Sequence, residues 1–146
     1  MNRWHSKSIR GWALTLGVLV LVAWLLVQLF GPYSQLKNRA KWLVGVDRLQ
    51  SWAVSALENR PPPAVVGPQG AIDVNFVPAD IRELADGCFI VVLEAHDDVE
   101  EHVHFACGGG FYHYGLCVGR PGFKPAPSRS FQLEELADGV WGLYER

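Results

Sequence analysis

No charged residue lies between Gly11 and Phe30, and no acidic residue precedes Asp47. The first absence excludes an ordinary surface helix over that stretch, because GWALTLGVLVLVAWLLVQLF has no polar face to turn toward water. The second makes the N-terminal part of the chain basic. Residues 1–60 hold eight Lys/Arg against two acids, a balance of +6, whereas residues 61–146 hold five against thirteen, a balance of −8. With no basic excess in the C-terminal half, nucleic acid is excluded as its partner, since an acidic surface repels phosphates.

Several catalytic and metal signatures are also missing. There is no Cys-x-x-Cys and no His-Glu-x-x-His spacing, which removes the commonest thiolate and zinc-protease patterns. The glycine run Gly108-Gly109-Gly110 lacks the Lys and the following helix of a phosphate-binding loop, and is expected to be a turn. Only three cysteines are present, Cys88, Cys107 and Cys117. None follows the apolar run closely enough for lipid attachment, and Gly-Pro-Tyr-Ser after Phe30 offers no small-x-small cleavage site.

What remains points to a single-pass transmembrane helix over 11–30. Twenty residues at about 1.5 Å each span roughly 30 Å, the thickness of a bilayer's hydrocarbon core. Trp12 and Phe30–Tyr33 suit the interfacial aromatic belts, and Gly31-Pro32 ends the helix. The expected localisation is therefore the plasma (inner) membrane, held by an uncleaved signal-anchor, with the lipid bilayer as first partner. Arg3, Lys7 and Arg10 precede the run, and Lys37, Arg39, Lys41 and Arg48 follow it. A short basic tail (1–10) before a first span favours the inside, which puts the C-terminal domain outside the cytoplasm.

Residues 33–59 read as an amphipathic juxtamembrane helix, with Trp42, Val46, Leu49, Ala53 and Ala56 on one face. That face is expected either at the headgroup boundary or against the C-terminal domain or a partner chain. A Pro/Gly-rich linker follows at 60–70, containing Pro61-Pro62-Pro63 and Gly67-Pro68-Gln69-Gly70, and its stiffness marks a domain boundary.

Residues 71–146 are expected to form a small α+β or mainly antiparallel β domain. Ile72–Val77 alternates like a strand, Ala79–Leu84 suits a helical turn, and Cys88–Ala95 is an apolar strand. His102–Cys107 with Phe111–Val118, and Phe131–Leu136 with Val140–Tyr144, read as two hairpins. Glu-Leu-Ala-Asp-Gly occurs at 83–87 and again at 135–139. The repeat indicates the same Asp-Gly turn before two strands.

Chemistry concentrates in His102, His104, Cys107, His113 and Cys117. His-x-His puts two imidazoles on one face of a strand, a metal-ligand arrangement. With the three glycines as the loop, Cys107 faces Phe111 and Phe105 faces His113. His102 and His104 then point away from His113, and a one-residue slip would unite them as a His102/His104/His113 site.

Outside the cytoplasm one pair of the three cysteines can form a disulfide; otherwise they are small buried thiols. Cys88 and His113 allow a cysteine-nucleophile reading. His113-Tyr114-Gly115-Leu116-Cys117-Val118-Gly119 resembles the histidine strand of NlpC-type papain-like hydrolases, a resemblance of seven residues that implies a small or degenerate hydrolase. In that family the cysteine begins a helix, whereas Cys88 enters an apolar strand.

The leading expectation is a non-enzymatic module that binds a protein partner or supports an envelope assembly, with no cofactor. Tyr112, Tyr114, Trp141 and Tyr144 are its candidate contact aromatics.

Overall fold

The computed structural model describes residues 5–60, 71–96, 99–109 and 112–145. The linker at 61–70 and the tip Gly110–Phe111 lie outside the described residues, as do the first four residues of the basic tail. The chain divides into two compact units, 1–35 and 36–146.

The first unit is built on helix α1, His5–Phe30. The side chains from Trp12 to Leu26 are all exposed. Pro32 opens the next helix, α2 (Pro32–Asn38), where its missing N–H costs nothing because first-turn donors have no helical acceptor. The expected membrane span is not upheld. Among the described residues no helix is long and apolar enough to cross a membrane. The transmembrane fold class, and with it the juxtamembrane role of 33–59, is corrected accordingly.

In the second unit the basic segment belongs to the folded core. It is not one helix. A π-helical turn, Arg39–Val44, separates α2 from helix α3, Val46–Asn59. The Gly45 N–H reaches back five residues to the Ala40 carbonyl oxygen at 3.0 Å. This wider turn shifts the phase of the apolar stripe. Leu36, Ala40, Val44, Leu49, Ala53, Ala56 and Leu57 are buried, so the stripe steps by five across Gly45. Trp42, which unbroken periodicity assigns to the buried face, is instead 84% exposed.

Five antiparallel strands form one sheet in the order β1-β2-β3-β5-β4. They are β1 Cys88–Leu93, β2 His102–Gly109, β3 Tyr112–Val118, β4 Phe131–Ala137 and β5 Val140–Glu145. A short helix, α4 (Ala79–Leu84), precedes β1. Residues 72–77 do not form a strand. Ala71 makes an isolated bridge to Val91. The Asp73 carboxylate then accepts the Asn75 N–H at 2.9 Å, and this local bond turns the backbone into a 3-10 turn, Val74–Phe76. The repeated Asp-Gly does the same work twice: Gly87 and Gly139 take φ of 77° and 75° immediately before β1 and β5. At Gly139 a Cβ would also collide with the Arg120 carbonyl oxygen.

The sheet's two faces differ. One face presents Ile90, Val103, Phe105, Cys107, Leu116, Val118 and Val140 to the helices, and these join the buried residues of α3 and α4 in one apolar core. Cys88 and Cys107 stand opposite each other in the β1–β2 register and form a disulfide on this face. The other face carries Cys117 and Leu143, with Trp141 and Leu133 packed beside them and Phe123 laid over them.

Candidate metal-binding site

Register decides what the second face can do. β2 continues through Gly109 and pairs with β3 so that His104 faces Cys117, Cys107 faces Tyr114 and Gly108 faces His113. The glycine-loop register puts Cys107 opposite Phe111, three residues away, and an odd shift exchanges the two faces of β3. Burial explains the outcome. The observed pairing places Leu116 and Val118, both fully buried, beside Val103 and Phe105 under the helices. The alternative would bury His113 there and leave Leu116 outside, at a cost of roughly 2 kcal/mol for the leucine alone.

As a result His102, His104, His113 and Cys117 all lie on one face. Three of them converge: one ligand atom each from His102, His104 and Cys117 lie within 4.8 Å of one another. His113 does not join them. It is exposed and sits four residues along β3 from Cys117, about 13 Å at 3.3 Å per residue. The expected His102/His104/His113 set is thus replaced by two histidines and a thiol.

Each donor is held in place. His102 is 7% exposed, with its ring stacked on Phe123 at 4.7 Å between centroids and on His104 at 6.3 Å. Its Nδ1 lies 2.9 Å from the Glu100 carbonyl oxygen. A carbonyl only accepts, so Nδ1 carries the proton and Nε2 keeps its lone pair. A backbone partner on the far nitrogen is the usual way a metal-ligating imidazole is oriented.

Burial lowers the His102 pKa. Burial first, then the neighbouring His102, lowers that of His104 to about 4. Both rings are therefore neutral near pH 7, the form that binds metal. Cys117 is buried and not disulfide-bonded, and burial pushes its thiol up to about 12. A metal ion bound beside it would supply the positive charge that a thiolate there needs.

Phe123 reaches His102 because Gly119 has no side chain; a Cβ there would enter the Phe123 ring. Trp141 fixes the same loop by donating its indole N–H to the Phe123 carbonyl oxygen at 2.8 Å. The Gly122 N–H donates to the Asp138 carboxylate at 2.8 Å. Nothing in the loop sequence marked Phe123 as part of a site; the one available signal was a large aromatic after Gly122 in a loop with prolines at 121 and 125.

The donors open onto a cavity of about 370 Å³. Register accounts for it. Ala106 and Gly115 stand opposite each other on this face, and Gly115 faces Leu143, which faces Leu133. Two small residues in mid-sheet leave a hollow, lined also by Pro125, Ala126, Phe131, Leu133, Leu143 and His113. Gly115 admits no side chain, because a Cβ would strike the Phe105 carbonyl oxygen and come within 3.5 Å of His104 Nε2.

The other candidate residues are dispersed. Cys88 is disulfide-bonded to Cys107 on the helix-covered face, so it presents no thiolate, and His113 lies on the opposite face. Tyr112 and Tyr114 stack loosely at 5.7 Å, and Tyr144 donates its hydroxyl to Gln132 at 2.7 Å. No protein-family model, curated protein or solved structure matches the chain.

Proposed function

We propose that the 36–146 unit is a metal-binding domain of an oxidising compartment, holding one late first-row transition ion through His102, His104 and Cys117. The observation that carries this is the approach of the three donor atoms to within 4.8 Å on one sheet face. Around a tetrahedral ion with metal–nitrogen and metal–sulfur bonds near 2.0–2.3 Å, donors stand roughly 3.4–3.7 Å apart. Small side-chain rotations close that gap. Imidazole and thiolate together select zinc or copper, whereas calcium and magnesium require oxygen donors, which this set lacks. The Cys88–Cys107 disulfide supports placement outside the reducing cytoplasm.

The test is metal analysis of the purified full-length chain, with zinc and copper titrations against the wild type and Cys117→Ser. The expected result is one ion per chain, with binding at least a hundredfold weaker in the variant. Stoichiometric tight binding that survives in a Cys117→Ser/His104→Ala double variant would show that the ion sits elsewhere and end this reading.

The expectation of a protein-binding or assembly module stays compatible with the metal site. No single observation favours it to the same degree.

A further inference from the structure

We infer that the bound ion keeps a coordination position open toward the cavity. The ligand for that position is a small molecule with an anionic oxygen or sulfur donor at one end and an unbranched aliphatic tail. The inference rests on the metal-binding reading above and extends it.

Two observations lead there. First, all three donors come from the sheet. His102 and His104 project from β2 and Cys117 from β3, on one face. An ion gripped from one side has its remaining position directed away from the strands. The space there is the cavity that His102, His104 and Cys117 themselves line. Three protein ligands with a fourth position left to water or substrate is the arrangement of reactive metal sites; closed structural sites use four.

Second, beyond the three donors the cavity is mainly apolar, with His113, Tyr114 and Ser128 as its other polar residues. The floor runs from the donors across Ala106 to Leu143 and Leu133, and Phe131 and Pro125 complete the walls. Leu133 lies three strands from His104 in the order β2-β3-β5-β4, about 14 Å at 4.8 Å per strand. An apolar trough with a few convergent polar groups at one end is the usual form of a small-molecule site, and this cavity falls in the usual size range. A cationic head site joined to an aliphatic trough fits an amphiphile of modest length. A bare anion would leave the trough unfilled.

The binding step is simple ligand exchange. The donor atom of the incoming molecule replaces water on the ion, and its acidic proton passes to solvent. No electron is transferred and no covalent bond of the ligand breaks.

The experiment uses the full-length chain loaded with cobalt(II), whose visible spectrum reports a change in its ligands. Three probes are added: acetohydroxamate, hexanohydroxamate, and hexanamide as a tail without the anionic donor. Both hydroxamates are expected to alter the cobalt spectrum. The six-carbon compound is expected to bind at least tenfold more tightly, since each buried methylene contributes about fourfold. Hexanamide is expected to leave the spectrum unchanged.

Leu133→Asp is expected to cut the chain-length advantage below about threefold, with its cobalt binding measured in the same titration. Equal affinity for the two hydroxamates overturns the aliphatic trough. A bound cobalt whose spectrum ignores both overturns the open position. Failure to bind cobalt at all removes the metal site itself, a different result from the other two.

Discussion

The two faces of the sheet are made from alternate residues of the same strands, yet they are packed differently. Toward the helices β2 presents Val103, Phe105 and Cys107, three buried groups locked into the main core. Toward the loop side the same strand presents His102, His104 and Ala106, two imidazoles and a methyl group. Stability and chemistry are thus separated by the pleat alone, with a period of two residues. The face under the helices is densely packed. The face proposed to bind stays hollow because Ala106 and Gly115 leave it unfilled.

The comparison breaks most severely on the packed face. Phe105 is fully buried and lies against Trp52 of α3 at 6.0 Å between ring centroids. Phe105→Ala is expected to cost about 3–5 kcal/mol, the loss of transfer energy plus an unfilled cavity. In a domain of this size that is a large share of total stability. Urea unfolding monitored by tryptophan fluorescence measures it. A loss below about 1 kcal/mol would mean that this face is not the stability-bearing one.

Next in size is the disulfide, also on the packed face. The two cysteines are 19 residues apart in sequence, and a closed loop of that order restricts the unfolded chain by about 3 kcal/mol. The Cys88→Ala/Cys107→Ala variant is expected to lose about 2–4 kcal/mol in the same unfolding assay. It should retain its metal affinity, since neither sulfur belongs to the donor set. A parallel loss of metal would indicate that the two faces are coupled through β2.

Much of this division was legible in the sequence, and the part that was not has a definite physical source. Helix α4, the two hairpins and the paired Asp-Gly turns follow from local chemistry, which short windows of sequence contain. Alternation within β2 shows that His102 and His104 share a face. It does not show which residues of β3 share it with them. That depends on how far β2 extends past Cys107, and glycines permit either a loop or a strand. The deciding energy is the burial of Leu116 and Val118 under helices that include α3, more than fifty residues away in sequence, a non-local contact.

The same applies to residues 33–59. Their periodicity announced an apolar stripe, but the π-helical turn that advances it by one residue is invisible to a fixed 3.6-residue period. Over residues 11–30 the absence of charge suggested a span that the described helix does not support. The Cys88–Cys107 pairing needed the β1–β2 register, which spacing alone leaves open.

On the hollow face the expected effects turn from stability to affinity. His104→Ala removes one donor and little else, since the ring is only partly buried. Metal affinity is expected to fall at least a hundredfold, about 2.8 kcal/mol at 1.4 kcal/mol per decade. Metal-free stability should change by less than about 1 kcal/mol. Isothermal titration with zinc, paired with unfolding in chelator, reads the two quantities separately. Equal losses in both would contradict the division of labour between the faces.

The smallest effect tests whether the loop over the hollow face positions a ligand or merely covers it. Phe123 itself carries no metal-ligating atom. Its ring stacks on His102, whose other nitrogen is held by the Glu100 carbonyl oxygen. The imidazole is therefore clamped on a face and at an edge, which leaves Nε2 one direction to point. Phe123→Leu keeps an apolar side chain of comparable bulk in the gap above Gly119, so the fold should lose no more than about 1.5 kcal/mol. The flat stacking surface disappears, and His102 gains freedom about its side-chain torsions. Partners that orient a ligand are typically worth ten- to a hundredfold in metal affinity; with the Glu100 bond intact, the lower end, roughly tenfold, is expected. Phe123→Tyr keeps the ring and should restore wild-type affinity. If leucine and tyrosine behave alike, stacking has no part in aiming His102, and the backbone bond from Glu100 holds the ring by itself.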